Sequence, residues 1–90
     1  MFGFQVIDFH KLNFQGETMA LRIGRSRLPE LLNKRRLSQV EFARKLNVSE
    51  AYVSQLIAGV RKFSLLKAKQ AAKILHCFID ELYEWEDDSG

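Results

Sequence analysis

Residues 38–59, SQVEFARKLNVSEAYVSQLIAG, read as two short helices joined by a tight turn. The side-chain oxygen of Ser38 is of the kind that accepts from free backbone N–H groups at a helix start. Glu41 stands three residues on, the spacing of a capping box. A second start follows at Ser49, where Glu50 suits the positive end of a helix and Val53, Leu56 and Ile57 supply an apolar stripe at helical spacing. Between them Asn47-Val48 is the turn, because asparagine tolerates the left-handed conformation that a sharp helix exit needs. Ala43 lies one turn before that exit, where a larger side chain would push the helices apart. Val40, Leu46, Val48, Val53 and Leu56 are expected to form the shared inner surface, and Gly59 to end the second helix as a glycine C-cap.

Ninety residues make one small domain with modest extensions. An apolar share of 47% and a charged share of 28% describe an ordinary globular chain rather than a disordered one. A single cysteine, Cys77, excludes an internal disulfide framework, and with only His10 and His76 beside it the ligands of a Cys/His zinc site are missing. Cys77 reads most simply as a buried apolar residue in a reducing cytosol. No apolar run is long enough to span a membrane, and no signal peptide is evident, so a cytoplasmic, nucleoid-associated location is expected. No Gly-rich phosphate loop, metal cluster or nucleophile-base constellation is present, which argues against an enzyme and against a cofactor.

Charge is unevenly spread. Residues 19–79 carry thirteen Lys and Arg against three Glu, whereas residues 80–90 carry six acids and no base. The middle is therefore a candidate polyanion-binding surface and the acidic tail, 86–90, is not.

Upstream, residues 1–18 hold four of the seven phenylalanines, and Phe2, Phe4 and Val6 alternate as a strand would. They are read either as a β-arm that pairs with a partner subunit or as an extension that is not part of the natural product. Gln15-Gly16-Glu17-Thr18-Met19 can be encoded with a bacterial ribosome-binding sequence ahead of an ATG, which makes Met19 a candidate start. Residues 19–27 form a basic lead-in, with Arg22, Arg25 and Arg27 either following a DNA backbone or simply solvated. Ser26 is a candidate cap for a first helix, whose first turn accommodates Pro29 and whose buried face is Leu28, Leu31 and Leu32. Lys34, Arg35 and Arg36 suit its negative C-terminal end. After Gly59 come Arg61 and Lys62 in a loop, then Ser64 as the cap of a fourth helix, about 65–75. Leu66, Ala71, Ile74 and Leu75 are expected to face the core, and Lys67, Lys69 and Lys73 to face water. His76-Cys77 breaks it, and a fifth short helix is expected from Ile79 to about Trp85, with Leu82 and Tyr83 closing the core.

Residues 28 to about 83 resemble the lambda-repressor-like, Cro/C1-type (XRE family) helix-turn-helix domain of bacterial and phage regulators. The carriers are LSQVEFARKLNVSEAYVSQL, Gly59 with its following basic residues, and the closing IDELY. The resemblance implies an all-α, five-helix domain over 28–85 with the helix-turn-helix at helices 2 and 3. Three features depart from the pattern: His76-Cys77-Phe78 where a glycine, an aliphatic residue and a polar cap are commoner, Ile57-Ala58 in place of a polar pair, and the N-terminal extension.

The implied function is sequence-specific binding of double-stranded DNA by a homodimer on a pseudo-palindromic operator, with repression as output. The second helix of the motif then enters the major groove. With Val53, Leu56 and Ile57 turned inward, Ser49, Glu50, Ala51, Ser54 and Gln55 lie near its outer face and are the expected base readers. Gln55 can pair with adenine, Glu50 can accept from cytosine N4, and Ala51 can meet a thymine methyl. By the resemblance Gln39 matches a phosphate-anchoring glutamine, and the loop after Gly59 touches the sugar-phosphate backbone. Arg44, Tyr52, Arg61 and Lys62 are the further backbone candidates. The alternative is an antitoxin or adaptor that uses the fold mainly to hold a protein partner.

Overall fold

The computed structural model describes residues 21–87. Expectations for residues 1–20, Met19 included, and for 88–90 lie outside them. The element order is β1 (Leu21–Ser26), α1 (Leu28–Arg35), α2 (Gln39–Leu46), α3 (Glu50–Ala58), α4 (Leu65–Leu75), a 3-10 turn (Ile79–Leu82) and β2 (Tyr83–Asp87).

Serines start the helices. The hydroxyls of Ser38, Ser49 and Ser64 accept from the N–H groups of Glu41, Tyr52 and Lys67 at 3.0, 3.0 and 3.2 Å. At Ser38 the box is complete, since Glu41 Oε1 accepts from the Ser38 N–H at 2.9 Å. Those contacts hold the Glu41 carboxyl below the usual carboxylate range. Ser26 stands one residue outside the cap position, held by Arg27, yet its buried hydroxyl still accepts from the Leu28 N–H at 3.2 Å.

Three of the four helix ends follow one rule. Arg36, Asn47 and His76 are all left-handed, with φ of 57°, 62° and 55°. Each is followed by a residue whose N–H turns back five positions: Leu37 to Leu32 O, Val48 to Ala43 O, and Cys77 to Ala72 O, all at 3.0 Å. This is the Schellman arrangement, and its apolar partner packs inward in each case, because Leu37, Val48 and Cys77 all lie against the core. Cys77 is thus half-buried helix punctuation, and that burial pushes its thiol pKa up. Helix α3 instead ends at Gly59, φ 82°.

Phe42, 0% exposed, sits in a core shared by Leu28, Leu31, Leu46, Val53 and Leu56, with Leu75 and Leu82 also fully buried. Two expected inner positions turn outward: Val40 is 48% exposed and Leu66 66% exposed. Helical rotation of about 100° per residue explains both. The buried set of α2 is Phe42, Ala43 and Leu46, which leaves Val40 beyond its edge. In α4 the inward stripe is Ala68, Ala71, Ala72 and Leu75, mostly small residues, with Leu66 on the opposite side.

The expected fifth helix is not formed, and the fold is four helices plus a two-stranded sheet rather than all-α. Only Ile79–Leu82 coils, as a single 3-10 turn whose first N–H, that of Phe78, donates to Glu81 Oε2 at 2.8 Å. From Tyr83 the chain extends and pairs antiparallel with β1, Leu21 opposite Asp87 and Ile23 opposite Trp85. The register shifts between Ile23 and Ser26, where β1 spends an extra residue. Gly24 sits in that bulge, and a Cβ there would come within 2.9 Å of the Glu84 carbonyl oxygen. Opposite charges stitch the strands, Arg22 to Glu86 at 3.4 Å and Arg25 to Glu84 at 2.7 Å, and Arg25 also pairs with Glu30 of α1. The Arg25 guanidinium holds the Glu30 carboxyl below its ordinary range.

Candidate nucleic-acid interface

Helix α3 is amphipathic at the level of single residues. Val53 and Leu56 are buried in the core, while Glu50, Ala51, Ser54 and Ala58 are exposed and Ser49 stands exposed at its cap. Gln55 is half-buried on the border between the two faces. Ile57 is turned to the protein and contributes, with Pro29, Leu32, Asn33, Leu37 and Gln39, to a groove between α1 and α2. Its departure from a polar residue is therefore deeper packing.

Gln39, the first residue of α2, borders this groove beside α3. Arg44 is five residues further on, so it projects about 140° round the same helix and shares no face with Gln39. Tyr52 is half-buried against the core. The loop after α3 is tied back to the helix. Arg61 donates from its backbone N–H to the Gln55 carbonyl at 3.2 Å and from Nε to Gln55 Oε1 at 2.9 Å. Its guanidinium carbon stands 4.6 Å from the centroid of the Tyr52 ring. Lys62 folds toward the helix end, its Nζ donating to the Gly59 carbonyl at 3.2 Å.

Several bases have structural employment. Arg22 and Arg25 are paired to acids of β2, so the acidic stretch neutralises part of the basic lead-in. Arg35 reaches beyond its own helix, donating to the carbonyls of Leu75 and His76 at 2.8 and 3.2 Å and so capping the C-terminus of α4. Lys67, expected to face water, is half-buried and donates to the Leu46 carbonyl at the end of α2, at 3.0 Å. Arg36, Arg44, Lys45, Arg61 and Lys62 remain exposed around the helix pair.

Two residues to which the sequence assigns no part in the site position this surface. Tyr83 accepts at its hydroxyl from the Phe63 N–H at 3.0 Å, and the two rings meet edge to face, centroids 6.2 Å apart. Phe63 directly follows Lys62, so β2 fixes the end of the loop. An aromatic immediately after a basic pair was the available signal; its partner, twenty residues away, was not.

The family model described as helix-turn-helix, of Cro/C1 type, matches residues 30–82. The chain belongs to the Cro/C1-type helix-turn-helix family. Members of this family are DNA-binding regulators, and the matched span contains the whole of α2, the turn at Asn47-Val48 and α3. No curated protein matches the sequence. Among the described residues no helix is long and apolar enough to cross a membrane, and no group of three His, Cys, Asp or Glu is gathered as metal ligands.

Proposed function

We propose that this Cro/C1-type protein is a sequence-specific regulator that binds double-stranded DNA as a homodimer and represses by occluding a promoter. The observation that carries the reading is the division of α3: Val53 and Leu56 anchor it in the core while Ser49, Glu50, Ala51, Ser54 and the outer side of Gln55 form a polar, side-chain-rich ridge. A ridge on a protruding helix fits the major groove, where each base pair displays its own pattern of donors, acceptors and methyl groups. Gln39, Arg44, Tyr52 and Lys62 are the candidates for holding the flanking sugar-phosphate backbone, which fixes register without reading sequence. One such domain covers little DNA, so two copies would place their α3 helices about 34 Å apart on a pseudo-palindrome.

Selection of bound duplexes from a randomised pool at near-physiological salt, followed by a salt titration, tests this. An enriched pseudo-palindrome is the expected result. Absence of enrichment, with binding that vanishes as salt rises, would refute sequence reading and leave only backbone attraction.

A further inference from the structure

We infer that Arg61 is a specificity-determining residue that reads a guanine, with Gln55 as its support, instead of gripping the sugar-phosphate backbone. The inference rests on the DNA-binding reading of α3 proposed above.

Arg61 lies outside the recognition helix, two residues past Gly59, yet it is fastened to that helix at three points. Its N–H holds the Gln55 carbonyl, its Nε holds Gln55 Oε1, and its guanidinium lies over the Tyr52 ring. An exposed arginine usually samples many rotamers and loses that freedom when it binds. Here the backbone bond sets the loop, the amide sets the reach of the side chain, and the aromatic face sets the plane of the guanidinium. A phosphate contact requires none of this placement, because a mobile charge serves it equally well.

The chemistry of the pair fixes which base it suits. A guanidinium can only donate, so the oxygen of the Gln55 amide must face Arg61 and the amide nitrogen must point away. Bidentate pairing of a glutamine with adenine needs that same oxygen to accept from adenine N6 while the nitrogen donates to N7. Arg61 already takes one of the two lone pairs of that oxygen and turns the amide toward itself, which weakens the adenine mode expected from the sequence. With Nε committed to Gln55, the end of the guanidinium formed by Nη1 and Nη2 is the edge left to face a ligand. Two parallel N–H donors match guanine O6 and N7, both acceptors. Lys62 has no comparable fixation to α3; its ammonium reaches only the Gly59 carbonyl and remains a point charge suited to phosphate.

The test is duplex selection with the full chain and with R61A, R61K and K62A. Affinities for the selected site, and for a duplex with the selected guanine replaced by adenine, are then measured across salt concentrations. Thermal melting of each variant checks that it folds. The wild-type chain is expected to select one guanine per half-site at the position facing Arg61. R61A should lose about 10- to 100-fold on the selected site and much less on the adenine duplex, so that the preference disappears. R61K keeps the charge but cannot present two parallel donors or hold the amide, and should lose the preference as well. K62A should weaken both duplexes by the same factor and reduce the salt slope by about 1.

Equal loss on both duplexes in R61A, restored by R61K, would make Arg61 a phosphate contact and overturn this inference while leaving the regulator reading intact. Selection of an adenine at that position by the wild-type chain would overturn it too. A wild-type chain that enriches no sequence at all would overturn the regulator reading itself, and this inference with it.

Discussion

The hydroxyl of Tyr83, the first residue of β2, accepts a hydrogen bond from the backbone N–H of Phe63, in the loop that leaves α3, at 3.0 Å. This single bond links the sheet made by the two ends of the described chain to the segment that carries Arg61 and Lys62. Tyr83 is almost fully buried, and that burial pushes its phenol pKa up, with the Phe63 N–H acting in the opposite direction. Replacing Tyr83 by Phe keeps the ring and strands the Phe63 N–H. The expected loss is about 1–2 kcal/mol, read as a lower midpoint in urea unfolding.

The same phenol gives a pH signature. Its folded pKa lies above its unfolded value, so the stability it contributes is complete below about pH 10 and is lost as pH rises through the folded value. Wild-type protein should lose stability above about pH 10 more steeply than Y83F, measured by melting temperature across an alkaline series.

Helix boundaries were legible because they are written in local chemistry. Ser38, Ser49, Ser64, Asn47 and Gly59 act within a few residues of themselves, and each acts in the structure as its type predicts. The sheet was not legible. Tyr83-Glu84-Trp85-Glu86-Asp87 alternates as a strand does, but its partner lies about sixty residues upstream, and a two-residue period over five positions is easily absorbed into a short helix. Phe42 was missed for a related reason: Val40 offered an equally apolar position two residues earlier, and only the packing direction of α2 decides between them. The ties between Arg61, Gln55 and Tyr52 depend on how a loop folds back, which residue spacing does not encode.

His76 occupies the left-handed position where the family more often has glycine, which explains that departure without a functional role. Its backbone carbonyl, not its ring, is what Arg35 holds. H76G should therefore be tolerated or stabilising by up to about 1 kcal/mol, since glycine removes the left-handed penalty but gains unfolded-state entropy. G59A is the opposite case: nothing crowds a Cβ there, yet φ is 82°, so a loss of about 1 kcal/mol is expected from backbone strain alone. Chemical denaturation of both variants checks the pair of signs.

The capping box of α2 should make the helix-turn-helix sensitive to acid. The Glu41 carboxyl is depressed because it accepts from the Ser38 N–H and meets the Ser38 hydroxyl. Its contribution is present above the ordinary glutamate range, about pH 4.3, and disappears as pH falls through the lower folded value. E41Q should flatten the acid limb of the stability curve, while S38A should cost about 1 kcal/mol at neutral pH by freeing the Glu41 N–H. Melting temperatures between pH 3 and 7 separate the two.

Gly24 tests how far the sheet supports the loop after α3. A Cβ at this position meets the Glu84 carbonyl oxygen at 2.9 Å, and that oxygen belongs to the backbone of the facing strand, so neither partner can yield without parting the strands. G24A should open the bulge, displace β2 and loosen Tyr83 from Phe63, with a loss of about 1–3 kcal/mol. The four helices keep their own caps and core, so helical circular dichroism at low temperature should be retained. Duplex binding should fall, because the loop holding Arg61 and Lys62 loses its anchor; unchanged affinity with lowered stability would confine the sheet to a purely structural role.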